Sequence, residues 1–183
     1  MNEDSAKYGN ELSRVMVDIE TLGTDPGYAI LSVGAVRFDP GGLGDEFYRS
    51  VSLKSCQDAG LEIDANTLEW WLEQDDAVTG VLTDGDPLTE VLEDFATFYG
   101  TSEEIWAFSP SFDCDILSAA YDAVGIVPPW NYYDERCCRT LAALPIWPDV
   151  EQDGDKHDAL DDAKYQARQT VEALREIAEP GDV

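Results

Sequence analysis

The sequence has few basic side chains. Its 183 residues include only 11 lysines and arginines against 39 aspartates and glutamates, which gives a formal net charge of −28. Lysine and arginine contacts to phosphate dominate the affinity of most nucleic-acid-binding proteins, so this balance argues against a protein that binds a phosphate backbone through its own cations. The objection is weaker in concentrated salt, and weaker again where divalent cations hold the phosphate.

The acidic residues are spread along the whole chain rather than gathered in one tail. Hydrophobic residues at 44% and aromatic residues at 10% are typical of a folded core and not of a disordered chain. A folded core under a carboxylate surface is what we expect of a halophilic protein. In molar salt the Debye length falls to about 3 Å, so the repulsion between surface charges is screened.

Histidine, paired cysteine motifs and long apolar runs are also scarce. The single histidine is His157, and the four cysteines contain no CxxC pair, which excludes a His/Cys zinc site at the usual spacings. No apolar run approaches the ~20 residues that cross a bilayer, and residues 1–7 lack the basic-then-apolar pattern of a secretory signal. We therefore expect a cytoplasmic protein with no membrane partner, formed by a polar tail over residues 1–12 and a single domain over residues 13–179.

Apolar periodicity predicts a group of strands followed by alternating helices and strands. Strands are predicted at residues 14–18, 28–38, 46–53 and 104–108 and from residue 132, and helices at residues 66–74, 87–99, 112–124, 140–144 and 159–178. This order predicts an α/β fold with a central mixed sheet of five to six strands flanked by helices.

Two carboxylates stand at the end of the first predicted strand. Asp18 and Glu20 are two residues apart, so both side chains lie on one face of that strand. Neighbouring carboxylates resist joint ionisation unless a cation neutralises them, and oxygen ligands suit Mg²⁺ or Mn²⁺ better than zinc. Taken alone, the pair is either a metal site or surface decoration.

Two later stretches add further carboxylates and a base. Asp113 falls in the first turn of a predicted helix, where it is either a functional anion or a helix cap. His157 stands just before a helix whose opening turn carries Asp158, Asp161 and Asp162. Histidine is the side chain that most often acts as a general base near neutral pH, although a loop histidine can equally have no catalytic role.

In this order the three motifs form a pattern that resembles the DEDDh 3′–5′ exonucleases, the DnaQ-like branch of the ribonuclease H-like fold. The resemblance matches Asp18 and Glu20 to the first motif, Asp113 to the second, and His157 with Asp162 to the third. Three nearby aspartates have no matching position and are interpreted as surface charges, namely Asp115, Asp158 and Asp161.

A narrower resemblance, to the ribonuclease AS and DexA-type exonuclease group, spans about residues 14–175. It rests on four segments: Asp18–Gly23, Glu69–Gln74, Pro110–Asp113 and Arg136–Leu141. The family's second motif usually carries an asparagine a few residues before Phe-Asp, and this sequence has none between Ala107 and Ser111.

The resemblance implies a metal-dependent 3′–5′ exoribonuclease that releases nucleoside 5′-monophosphates from single-stranded RNA. Its alternatives are a 3′–5′ exodeoxyribonuclease on single-stranded DNA and a non-catalytic nucleic-acid-binding module on the same fold. The four motif carboxylates are expected to hold two divalent cations, Mg²⁺ or Mn²⁺, while His157 removes a proton from the attacking water. Members of the group often pair, so a homodimer is also implied.

Substrate contacts are predicted directly after the first motif and on a later predicted helix. Backbone amides of Leu22 and Gly23 are placed to reach the terminal nucleotide, with the Leu22 side chain against its base. Trp70 and Trp71 point about 100° apart on a helix, so one is expected to pack inward and the other to stack on a base. For Arg139, a phosphate contact and a structural ion pair both remain open.

Overall fold

A computed structural model describes residues 12–74, 85–154 and 156–178. Its central feature is a mixed five-stranded sheet with the strand order β3-β2-β1-β4-β5. The strands are β1 (Arg14–Thr21), β2 (Ile30–Asp39), β3 (Gly42–Ser50), β4 (Glu104–Ala107) and β5 (Glu135–Cys137). The sheet confirms the predicted α/β class. The predicted polar tail lies outside the described residues, except for Leu12.

Six α-helices flank this sheet within the described part of the chain. They are α1 (Leu53–Asp58), α2 (Ala65–Glu73), α3 (Leu88–Tyr99), α4 (Asp113–Ala123), α5 (Cys138–Ala142) and α6 (Ala159–Ala178). None of the helices in these described segments combines the length and apolar character needed to cross a membrane.

The two faces of the sheet carry separate hydrophobic cores. Val15, Val17 and Ile19 of β1 belong to the larger core, which includes residues of α1 to α4. Met16 points the other way, into a smaller core with Ala163 of α6. Because side chains alternate along a strand, Asp18 and Glu20 lie on the Met16 face, under α6.

The pairing of the strands brings their functional ends together. β1 runs antiparallel to β2 and parallel to β4, and β4 runs parallel to β5. The carboxyl ends of β1, β4 and β5 therefore lie at one edge of the sheet. This edge, which we call the carboxyl edge, carries the first-motif residues, and α4 begins shortly after β4.

Helix α6 packs against β2 without an intervening side chain at Gly34. This glycine is the cross-strand partner of Asp18, and a Cβ at residue 34 would overlap the backbone of Ala159 and Leu160. The missing side chain allows the first turn of α6 to approach the sheet closely beside Asp18.

Most predicted elements agree with the structure, and the differences have local causes. Helix α6 has the predicted bounds, but β1 continues past Asp18 to Thr21. The third strand stops at Ser50 instead of reaching Leu53, because the Ser52 side chain accepts a hydrogen bond from the Ser55 N–H and begins α1. This helix was not predicted.

The predicted strand from Tyr132 is also displaced. A capping box between Asn131 and Asp134 closes a 3₁₀ turn over Tyr132–Asp134, so β5 begins only at Glu135.

Candidate active site

The structure brings the five motif residues to the carboxyl edge. Asp18 and Glu20 come from β1, Asp113 is the first residue of α4, His157 precedes α6, and Asp162 lies in its first turn. Glu20, His157 and Asp162 each offer a ligand atom, and these atoms lie within 4.8 Å of one another. Residues far apart in sequence thus form one cluster.

Asp113 is tied directly to β1. Its Oδ1 accepts a hydrogen bond of 3.2 Å from the backbone N–H of Ile19, the residue between Asp18 and Glu20. The N–H of Asp113 in turn donates to the Ser109 carbonyl at 3.2 Å. Asp113 is buried, so these bonds fix the second-motif carboxyl group against the first-motif strand.

Asp162 is held by two donors from the chain before α6. The N–H of His157 donates to Asp162 Oδ2 at 3.1 Å, and Gln152 Nε2 donates to Asp162 Oδ1 at 2.7 Å. His157 has a φ of 64°, a left-handed conformation that is uncommon outside glycine. Its ring makes an edge contact with Trp70, at 5.1 Å between centroids.

The pKa values of the clustered carboxyl groups are raised in the metal-free fold. Burial raises the pKa of Asp18 to about 7, aided by repulsion from Asp162 and opposed by a hydrogen bond from Gln166. Burial and repulsion from Asp18 raise the pKa of Glu20 to about 8. Burial likewise raises the pKa of Asp113, well above its ordinary value, and that of Asp162. At neutral pH the cluster must therefore share protons or bind cations.

This donor set fits hard divalent cations. All four motif carboxyl groups offer oxygen atoms, which suit Mg²⁺ or Mn²⁺. Their raised pKa values show that the protein's own donors do not neutralise the charge that full ionisation would create. A cation would supply what these donors do not.

Gln166 also belongs to the site, although it is not part of the three sequence motifs. Its Nε2 donates to Asp18 Oδ1 at 2.8 Å, while its Oε1 is buried without a hydrogen-bond partner among the described residues. Gln166 follows Asp162 by four residues in α6, so both side chains lie on one helical face. This four-residue spacing is the feature of the sequence from which a role for Gln166 could have been predicted.

A cavity of about 390 Å³ adjoins Glu20. The residues that line it come from the end of β1, the following turn, α2 and the start of α4: Glu20, Thr21, Gly23, Thr24, Asn66, Thr67, Trp70, Trp71 and Phe112. Trp71 is buried and its indole N–H donates to the Thr21 carbonyl at 2.9 Å, whereas Trp70 is 41% exposed. One tryptophan therefore packs inward and its neighbour faces solvent, as predicted.

The predicted nucleotide contact of Leu22 is wrong. The Leu22 side chain is fully buried, and its backbone N–H and carbonyl are bonded to Ala29 and Asp64. Leu22 therefore has neither a side chain nor a free amide to offer a nucleotide. Asp158, predicted as a surface charge, is half-buried, and its Oδ1 accepts from the N–H groups of Leu160 and Asp161 at 3.0 Å and caps α6.

Comparison with known proteins agrees with this geometry. The sequence model of the 3′-5′ exoribonuclease Rv2179c-like domain matches residues 13–174. Comparison with curated protein sequences gave no match.

Several solved structures share the fold. Exonuclease X, in complex with 5′-overhanging duplex DNA, is 19% identical over 92% of each chain, with a TM-score of 0.56. The nuclease domain of 3′hExo, a DEDDh family member bound to rAMP, is 16% identical over 89% of this chain and 92% of that chain, with a TM-score of 0.59. A full-length 3′-exonuclease is 18% identical over 91% and 83%, with a TM-score of 0.54. These likenesses confirm the ribonuclease H-like fold.

We predict that Glu20→Gln stabilises the metal-free protein at high pH. The pKa of Glu20 rises on folding from 4.5 to about 8, so between these values the folded state binds more protons than the unfolded state. The free energy of unfolding then falls as pH rises through this window. The variant should melt at the wild-type temperature near about pH 5 and above it near about pH 9, measured in EDTA at constant high KCl.

Removing any charge from so acidic a chain also reduces general repulsion. The matched control is Glu73→Gln, at an exposed position in α2. An equal gain in melting temperature for both variants would contradict a specific cost at Glu20.

A second prediction concerns Gln166→Leu. Loss of the amide donor frees the Asp18 carboxylate, and loss of such an outer partner typically weakens metal affinity by about 10- to 100-fold. The Mg²⁺ concentration that half-saturates the thermal shift should rise by that factor. Gln169→Leu is the control, because Gln169 lies on the same helix and donates to Pro148 and Tyr165 instead of a site carboxylate. Equal effects of the two substitutions would count against Gln166 as a positioning residue.

Proposed function

Since the chain belongs to the family of 3′-5′ exoribonuclease Rv2179c-like domains and is a DEDDh-type 3′–5′ exonuclease, we propose that it releases nucleoside 5′-monophosphates from the 3′ ends of single-stranded RNA. The DEDDh exonucleases depend on divalent metal ions. The convergence of Glu20, His157 and Asp162 within 4.8 Å, next to Asp18 and Asp113, carries the proposal.

The proposal assigns the four motif carboxylates to two divalent cations, Mg²⁺ or Mn²⁺. Bound there, the cations would lower the pKa of the attacking water and stabilise the leaving 3′ oxygen. Asp18 of β1 and Asp113 of α4 would supply ligands on one side of the cluster, and Glu20 and Asp162, whose oxygens lie within 4.8 Å of His157, would supply the others.

His157 is assigned as the general base. A ring nitrogen takes the proton of the attacking water, and the exposed position of the ring leaves it open to that water. The contact with Trp70 limits the ring's orientation, and the bond from the His157 N–H to Asp162 anchors the backbone behind it. The base and one ligand are thereby held by the same turn.

The cavity beside Glu20 is assigned to the terminal nucleotide. The exposed Trp70 offers a face for the base, Trp71 supports it from the core, and the buried Gly23 lines the wall without a side chain. Asn66 carries both a donor and an acceptor beside this wall. Such a group suits recognition of ribose hydroxyls, which is the contact that separates RNA from DNA.

The proposal also interprets the acidic surface as an adaptation to concentrated salt in the cytoplasm. Screening at about 1 M salt removes most of the repulsion that a net charge of −28 creates. The homodimer implied by the family resemblance stays a prediction.

We predict that Asp162→Asn lowers mononucleotide release by about 100-fold or more, because a metal ion supplies several kcal/mol of charge stabilisation. Asp161→Asn is the matched control: it makes the same change one residue earlier in α6, where the carboxylate pairs with Lys164. Release of 5′-mononucleotides from a labelled oligonucleotide measures both. If Asp161→Asn strongly reduced mononucleotide release while Asp162→Asn reduced it little, the wrong aspartate would be assigned as the metal ligand.

We also predict a preference for RNA over DNA. Matched single-stranded oligonucleotides of one sequence, with ribose or deoxyribose only at the 3′-terminal residue, isolate the contribution of the terminal 2′-hydroxyl. The ribose-ended strand should have the higher kcat/KM, and Asn66→Ala should reduce the difference. A higher kcat/KM on the deoxyribose-ended strand would favour the single-stranded DNA exonuclease, and equal rates would mean an exonuclease indifferent to the sugar.

A further inference from the structure

An aromatic pair lies at the carboxyl edge outside the cavity. Phe108 directly follows β4 and is 41% exposed. Its ring centroid lies 6.2 Å from that of Trp147, with an interplanar angle of 46°. Trp147 is half-buried and packs against the smaller core, so it supports Phe108 from below. An exposed phenylalanine with a supported ring is a flat apolar surface in contact with solvent.

The strand register places Phe108 beside the carboxylates. Met16 of β1 pairs with Trp106 of β4, and Asp18 and Phe108 each lie two residues further along these parallel strands. Phe108 follows the strand itself, and its contact with Trp147, which packs on the smaller core, puts its ring on the face that carries α6. The next residue, Ser109, accepts the N–H of Asp113 through its carbonyl. Phe108 is thus anchored to the turn that positions a site carboxylate.

Trp147 belongs to a chain segment that is hydrogen-bonded to α6, the helix that carries Asp162. The segment after it runs along α6, where the Pro148 carbonyl accepts a hydrogen bond from Gln169. A few residues later, Gln152 donates to Asp162. The aromatic pair therefore joins the two chain segments that hold Asp113 and Asp162.

The cavity and the aromatic pair lie on opposite sides of the carboxylates. Trp71 and Phe112 line the cavity and belong to the larger core, whereas Trp147 borders the smaller core on the other face of the sheet. A phosphodiester has a nucleoside on each side. If one nucleoside occupies the cavity while the phosphate meets the carboxylates, the second one emerges toward Phe108.

The scarcity of unpaired basic side chains favours base stacking over phosphate contacts on the Phe108 side of the carboxylates. Of the ten lysines and arginines in the described segments, seven form ion pairs with carboxylates of the protein: Arg14, Arg49, Lys54, Arg136, Lys164, Arg168 and Arg175. Arg37 instead donates to backbone carbonyls. Base–aromatic stacking needs no cation and is worth about 1–3 kcal/mol per base.

Arg139 is a basic residue that the topology brings to this edge, as is the exposed Lys156 beside His157. Arg139 lies in the first turn of α5, directly after β5, and Cys137 of β5 pairs with Ala107 of β4. Its side chain is exposed and makes no ion pair with any residue in the described segments. The structural ion pair considered for Arg139 from the sequence is therefore absent from this part of the chain.

We propose that Phe108, supported by Trp147, binds the base of the penultimate nucleotide, on the upstream side of the scissile phosphate, and that Arg139 contacts the next phosphate. The proposal rests on the proposed exonuclease function and deepens it. It gives the site two aromatic surfaces, Trp70 for the released nucleotide and Phe108 for the nucleotide that stays on the polymer.

The test uses two RNA oligonucleotides that differ only at the penultimate position, one with a base and the other with an abasic ribose. The readout is kcat/KM for release of the first nucleotide. Wild-type protein should prefer the intact strand by at least about fivefold, the lower limit of one base–aromatic stack. Phe108→Ala should bring this ratio close to one, and Phe108→Tyr should retain it.

Tyr132→Ala is the matched control. Tyr132 is 78% exposed and lies in the turn before β5, at the edge of the sheet remote from the carboxylates. This variant should keep the wild-type ratio. For Arg139→Gln, the slope of log KM against log salt should become shallower by about 0.7, the value for one phosphate contact on a single strand.

The possible outcomes distinguish failure of the penultimate-base site from failure of the proposed exonuclease function. No mononucleotide release by wild-type protein would refute the proposed function. Release with a wild-type ratio near one, or a Phe108→Ala variant that slows both strands equally, would overturn the penultimate-base site while leaving the exonuclease standing.

Discussion

The close approach of α6 to Gly34 is the contact on which the site depends. Gly34 pairs with Asp18 across β1 and β2, and no side chain at residue 34 separates the backbone of the sheet from that of Ala159. This contact sets the height of α6 above the sheet. From that position Asp162 and Gln166 reach the first-motif strand, and a helix displaced by the width of a methyl group would lose the Gln166 bond to Asp18. A missing side chain thus makes the carboxylate cluster possible.

The cluster has an electrostatic cost that the rest of the protein does not remove. Backbone and amide donors bond to one oxygen each of Asp18 and Asp113 and to both oxygens of Asp162, yet burial and repulsion between the carboxylates still raise the pKa of each. For Glu20, whose pKa reaches about 8, burial and the neighbouring carboxylates all act to raise the pKa. The hydrogen bonds therefore position the carboxyl groups without neutralising them, which is the arrangement that leaves a site selective for cations.

The acidic composition and the aromatic residues have a common physical explanation. A chain with most of its cations committed to internal ion pairs has little positive charge with which to bind a polyanion, and concentrated salt would weaken such contacts further. Stacking on Trp70 and Phe108 depends far less on salt. In the proposed binding mode, Trp70 and Phe108 flank the carboxylates, where the polymer must pass.

The sequence by itself determined the order of the strands and of the described helices other than α1, the bounds of α6 and the three motifs, because periodicity, capping signals and motif spacing are local properties of the chain. It also predicted that only one of two adjacent tryptophans would be buried. The tertiary structure alone decided that Leu22 is buried, that Gln166 joins the site and that Phe108 meets Trp147. These contacts form only when α6 packs on Gly34 and β4 pairs with β1. The spacing of Gln166 from Asp162 places both on one helical face, but no local pattern shows that this face meets Asp18 or that Phe108 meets Trp147.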